Sequence, residues 1–256
     1  MVVAMEKNES PAAATVRING LTLRHDGRTL IEGINLSIGK GEIFAVIGSS
    51  GCGKSTFLRH LMGLEPADPG AITLNGYDIN SFDEAERRHA RKQFGVLFQG
   101  GALWTTMNLG ENVALPLENS SNFTVEERLN IAALKLSMVG LAGFESFFPH
   151  ELSGGMIKRA GIARAMVRNP AILFFDEPSA GLDPVTSRKL DELILHIRNN
   201  QGVTFVLVTH ELASIFAVAD RVAFFDPDSR SVLDIGNPRV LAQKSPHEKV
   251  RHFFSQ

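Results

Sequence analysis

An eight-residue run, Gly48-Ser49-Ser50-Gly51-Cys52-Gly53-Lys54-Ser55, does most to decide what this chain can fold into. It fits the pattern G-x-x-x-x-G-K-[ST] and stands between an apolar run, residues 42–47, and a helix-forming run, residues 55–64. A strand that turns into a helix through such glycines can wrap its backbone N–H groups around phosphate oxygens. The helix that follows adds the positive end of its dipole. In that cradle Lys54 is placed to reach the β- and γ-phosphates of a nucleotide, and the Ser55 hydroxyl to ligate Mg²⁺. Gly48, Ser49, Ser50, Gly51, Cys52, Gly53 and Thr56 complete the phosphate-binding set. Cys52, the one cysteine of the chain, reads as a small filler inside the loop and leaves no intrachain disulfide possible.

A second run carries acids. Ile172-Leu173-Phe174-Phe175-Asp176-Glu177 is an apolar strand ending in two carboxylates. Asp176 at the strand tip suits a Mg²⁺ site reached through water. Glu177 suits a general base that orients and deprotonates an attacking water. A solvated strand end explains neither the pair nor its place downstream of a phosphate cradle.

Around these two runs the pattern alternates. Residues 16–23 and 34–38 read as strands, as do 72–74 and 95–98, with a polar helix over 83–92. Apolar runs at 172–175, 204–208 and 221–225 suit a parallel sheet buried on both faces, with a helix over 183–199. Between these halves, residues 100–169 carry helical periodicity, clearest over 125–139 and 153–167. The fold class is therefore α/β, a core of residues 15–236 interrupted by a helical insertion. Residues 1–14 read as a loose leader without the unbroken apolar core of a signal peptide. Residues 237–256 read as two short helices broken around Pro246.

Composition sets limits. The 256 residues are 44% hydrophobic and 21% charged, enough for a core that needs no disulfide staples. Lys and Arg number 26 against 28 Asp and Glu, so no net field draws nucleic acid to the chain. No run of roughly 18 apolar residues occurs, so a membrane role goes through a partner.

A third motif, Leu152-Ser153-Gly154-Gly155-Met156, opens the helix over 153–167. Together with the cradle, the acids, Ser179-Ala180-Gly181-Leu182-Asp183 and His210 after a strand, it resembles the ABC ATPases, from residue 16 to about 236. That resemblance implies a P-loop NTPase core, an inserted helical signature subdomain and an antiparallel β region near the N-terminus. It implies ATP and Mg²⁺ as cofactors and ATP hydrolysis as the activity. Gln99 matches the glutamine that senses Mg²⁺ and the attacking water. Ser153, Gly154 and Gly155 match the signature, which binds the γ-phosphate held by the opposite subunit. Asp183 matches the loop that crosses the dimer interface, and His210 the switch histidine at the γ-phosphate. His25 stands where the family has an aromatic residue that stacks on adenine; an imidazole offers a smaller face than Tyr.

The resemblance also implies partners. Each ATP is sandwiched between the cradle of one subunit and the signature of another, so a homodimer is the simplest assembly. Such a dimer drives a separate transmembrane permease from the cytoplasmic face of the bacterial inner membrane. The segment after Gln99 is where that permease should touch; Trp104 within it reads equally as core or as contact. LSGGM in place of a Gln or Glu ending, the stretch LFQGGALWTTMNLGENVALPL and the tail over 246–254 resemble the MCE-associated (Mla/Ttg2-type) phospholipid transporters. That type brings an MCE-domain substrate-binding protein and a small regulatory subunit, and its tails contact the neighbouring ATPase. The alternative is an importer of small polar solutes such as amino acids. A tandem translation factor has two ATPase units, and a chromosome-maintenance ATPase a long coiled coil; neither feature is present.

Overall fold

The computed structural model describes residues 14–25, 27–118 and 123–255; the leader reading falls on residues outside this range, apart from Ala14. In chain order the strands are β1 (Ala14–His25), β2 (Arg28–Gly39), β3 (Ile43–Gly48), β4 (Ile72–Leu74), β5 (Tyr77–Asp78), β6 (Phe94–Leu97), β7 (Ile172–Asp176), β8 (Thr204–Val208), β9 (Arg221–Asp226) and β10 (Ser231–Gly236). The helices are α1 (Lys54–Leu61), α2 (Glu84–Lys92), α3 (Leu109–Ala114), α4 (Val125–Met138), α5 (Gly154–Met166), α6 (Pro184–Gln201), α7 (Leu212–Val218), α8 (Pro238–Lys244) and α9 (Glu248–Phe254).

Two sheets form. The larger runs β10-β9-β3-β8-β7-β6, parallel from β9 to β6, with β10 added antiparallel at one edge. The smaller, β2-β1-β4-β5, is antiparallel. Every residue of β3 is buried, because the large sheet is covered on both faces. Alternation then splits the strand between two cores: Ile43, Ala45 and Ile47 face one, Phe44 and Val46 the other. The first core holds residues of α3, α4, α5, α6 and α7; the second holds the small sheet and α1. So the chain is α/β, with helices α3 to α5 entered between β6 and β7.

Local chemistry explains the boundaries. Asp83 caps α2 through Ala85 N, and Thr124 and Glu127 close a capping box on α4. Gly202 ends α6 in the left-handed conformation. α5 lies hard against β6: a Cβ on Gly95 would stand 1.9 Å from the Ala165 carbonyl oxygen. Four elements escape the sequence pattern. Strand β10 is half-exposed throughout, β5 is two residues long, and α3 and α7 are too short to display a helical period. The two tail helices flank Pro246 as the pattern predicts.

Candidate functional site

The C-terminal ends of the parallel strands deliver the site. β3 ends at Gly48, which takes φ 145° and whose absent side chain leaves room that a Cβ would contest with the Phe225 carbonyl, 2.4 Å away, and Cys52 Sγ, 2.9 Å away. Only glycine fits there. Lys54 folds back over the loop, donating to the carbonyls of Gly48 and Ser49 at 2.9 Å each. α1 then starts from Gly53 with no side-chain cap and no acid in its first turn, so its leading N–H groups remain open to an anion. Cys52 is wholly buried beneath the loop, and burial pushes its thiol pKa up, which makes it an inert filler.

The acids arrive at the end of β7, two strands from β3 with β8 between. Asp176 Oδ1 accepts from the Ser55 hydroxyl at 3.4 Å. Burial, then the charge of Glu177, raises the Asp176 pKa, while Ser55, Lys158 and Lys54 oppose the rise. Glu177 sits at φ 47°, in the left-handed region, and its N–H donates to the Val208 carbonyl at 2.8 Å. That strained turn carries its carboxylate to His210, whose Nδ1 lies 2.8 Å from Oε1. The other oxygen, Oε2, is buried with no partner among the described residues.

These side chains share one cleft of 950 Å³. It is lined by His25, Gly48, Ser49, Ser50, Gly51, Gly53, Lys54, Ser55, Thr56, Gln99, Glu177 and His210. Asp176 meets it through Ser55. Among the described residues no group of three His, Cys, Asp or Glu could hold a metal alone. A hydroxyl beside one carboxylate fits Mg²⁺, which keeps several waters and takes other oxygens from a bound phosphate.

The signature residues are elsewhere. Ser153 caps α5, its Oγ accepting from Met156 N at 3.3 Å. Ser153 and Gly154 are exposed and α5 has no acid in its first turn, so its N-terminal end carries the positive end of the helix dipole unopposed by an acid of that turn. Ser153 and Gly155 line a separate 540 Å³ cleft with Leu182 and Thr186. Asp183 caps α6, accepting from Val185 N and Thr186 N at 3.0 and 3.1 Å. Those hydrogen bonds hold its pKa low, led by the Thr186 hydroxyl.

The cleft also has walls that no motif announces. Lys249, His252 and Phe253 of α9 line it, with Phe224, Asp226 and Asp228. Lys249 bridges Asp226 at 2.9 Å and Asp228 at 2.6 Å, and Phe253 stands edge-on to Phe224. No local sequence signal marks these residues, because α9 reaches the cleft only through the folded chain. Trp104 is 60% exposed, which removes the core reading. The buried Asn112 side chain holds its loop, accepting from Trp104 N and donating to the carbonyls of Trp104, Met107 and Asn108.

Comparison with known proteins agrees with this geometry. The family model described as "ABC transporter" matches residues 31–180. The chain is 39% identical over 245 residues to the probable ribonucleotide transport ATP-binding protein mkl of Mycobacterium tuberculosis, covering 96% of this chain and 67% of that protein. It is 41% identical over 221 residues to the methionine import ATP-binding protein MetN of Rhizobium johnstonii, covering 85% of this chain and 61% of that one. Among solved structures, cbiO1 of Clostridium perfringens, part of the ABC transporter complex cbiONQ, superposes with a TM-score of 0.80 at 26% identity, over 91% of this chain and 92% of the other. The cassette MJ0796, dimeric with ADP and Pi bound, superposes with a TM-score of 0.76 at 29% identity, over 87% and 98%. The chain belongs to the ABC transporter family, as an ATP-binding unit that hydrolyses ATP with Mg²⁺.

Proposed function

We propose that two copies of this chain clamp two ATP molecules between them and so power a separate permease that moves phospholipid or another lipid between bacterial membranes. One observation carries the pairing: the cradle and the signature, both open helix N-termini, occupy different clefts of one chain. A second copy turned by a two-fold axis brings the signature of each to the cradle of the other. No helix of the described residues is long and apolar enough to cross a membrane. In this reading the motor attaches to its permease from the cytoplasmic face of the bacterial inner membrane.

In this reading Lys54 leaves the carbonyls of Gly48 and Ser49 for the β- and γ-phosphates. Ser55 and, through water, Asp176 would hold Mg²⁺, which when bound would supply charge neutralisation at the phosphate oxygens. Glu177 takes the proton of the attacking water, and its unpartnered Oε2 is the acceptor available for it. His210 fixes the other oxygen and stands beside the γ-phosphate, while Gln99 orients the water. His25 offers its ring to adenine. Residues 15–236 form the ATPase domain, residues 100–169 its signature subdomain, and the exposed Trp104 the contact with the permease.

The lipid assignment is supported by LSGGM, by the stretch after Gln99 and by the tail. Those features carry an MCE-domain protein and a small regulatory subunit as further partners. The names of the two relatives point to ribonucleotide and methionine, so an importer of polar solutes is the competing reading. Affinity purification of the tagged chain from native membranes, followed by lipid analysis, separates them. Co-purified permease with phospholipid, and ATPase activity stimulated by lipid vesicles, supports the first. Stimulation by an amino acid with its soluble receptor sinks it.

A further inference from the structure

Lys158 stands on α5, a little over one turn beyond the signature serine, and its side chain is buried. It faces the acid cluster. Its ammonium donates to the backbone carbonyl of Gln99 and, at 3.1 Å, to the backbone carbonyl of Glu177. Burial lowers its pKa, and the carboxylates of Glu177, Asp176 and Glu211 oppose that fall. A charge so buried persists only where its surroundings repay the lost hydration. The same helix grips the loop after Gln99 again through Arg164, which donates to the carbonyls of Gly101 and Ala102. Thus one rigid element carries the signature at its tip and holds, by cationic side chains, the loop after Gln99 and the strained peptide of Glu177.

We propose that Lys158 is a positioning residue for hydrolysis, pinning the peptides of Gln99 and Glu177 together so that engagement of the signature sets both at the attacking water. This rests on the reading of Glu177 as the base. The left-handed turn at Glu177 has its N–H tied to Val208 and its carboxylate to His210; on its carbonyl the Lys158 ammonium joins the Ala180 N–H, at 3.1 and 3.2 Å. Without it the carbonyl keeps only the Ala180 N–H, the turn at φ 47° is held less firmly and the carboxylate drifts out of line, while the phosphate cradle on β3 and α1 is untouched.

The test is steady-state ATP hydrolysis by the full chain carrying Lys158→Met, with Lys158→Arg and Glu177→Gln alongside. The expected result is a fall in kcat of at least about tenfold for Lys158→Met, with KM for ATP and ATP-driven pairing kept within about threefold. Lys158→Arg, which keeps charge and donors, is expected to recover part of the loss. A kcat within threefold of the parent, a loss carried by KM, or an Arg variant as inactive as the Met variant overturns the proposal. If Lys158→Met does not fold, Lys158→Gln takes the same readouts, its side chain being one bond shorter and unable to span both carbonyls. Full turnover by Glu177→Gln is a different failure: it removes the base, and with it the reading on which the proposal stands.

Discussion

The cradle and the signature are both helix N-termini built to meet phosphate, yet they differ in how finished they are. At the cradle, Gly48 is wedged against Phe225, Lys54 curls onto its own loop, and the acids of β7 already reach Ser55 and His210. At the signature, Ser153 caps its helix and little else is present; Ser153 and Gly154 face solvent. One site is assembled by the parallel sheet, which brings distant strand ends side by side. In the proposed reading the other takes its remaining contacts from a partner surface. A chain of this design would then bind nucleotide alone and hydrolyse it only in company.

Mutations should therefore separate the two ends. Lys54→Ala removes the charged donor from the finished end; loss of about 2–3 kcal/mol, roughly 100-fold in Kd for ATP, is expected by calorimetric titration. Ser153→Arg fills the bare end. Affinity for ATP should stay within about twofold while hydrolysis falls about 100-fold. Equal loss of binding in both variants would erase the distinction. Gly95→Ala forces α5 away from β6, since its Cβ meets the Ala165 carbonyl; a stability loss of about 1–3 kcal/mol in urea is expected.

Two buried titratable groups sharpen the contrast through pH. Asp191 on α6 has its pKa pushed up to about 6, chiefly by burial, against the hydrogen bond from Ser214 at 2.9 Å. Its folded state therefore favours the protonated form, and stability is lost as pH rises from 3.8 through about 6. Asp191→Asn should gain about 1–2 kcal/mol at pH 7, seen as a higher Tm, with ATP affinity unchanged. His60, on α1 behind the cradle, is buried, and burial lowers its pKa against the opposing influence of Glu65. The folded state favours the neutral ring, so stability is present above pH 6.5 and falls as pH drops below it. His60→Met should narrow the gap in Tm between pH 5 and pH 7, by an amount equivalent to about 1 kcal/mol or less.

What could be read from the sequence follows the same division. The cradle is contiguous, its glycines and Lys54 falling in one run, and the buried strands β3, β7, β8 and β9 announce themselves as apolar runs. Their parallel order brings Asp176, Glu177 and His210 to the cradle. Features whose signal is tertiary stayed hidden: the half-exposed edge strand β10, the six-residue α3 set by the Asn108–Glu111 capping box, and the reach of Lys249 and Phe253 from α9 to the cleft wall. Lys158 is equally silent in sequence. Its meaning lies in two carbonyls brought to it from β6 and β7 by folding.

The central claim is that each hydrolytic site takes its halves from two chains. Lys54→Ala and Ser153→Arg are each expected to be inactive, for different reasons, so mixing them is the direct test. In a mixed pair one site joins the intact cradle of the Ser153→Arg chain to the intact signature of the Lys54→Ala chain. Single-turnover hydrolysis should reappear on mixing, from a level near zero for either variant alone. A mixture that hydrolyses no more ATP than the sum of its two components would contradict the account.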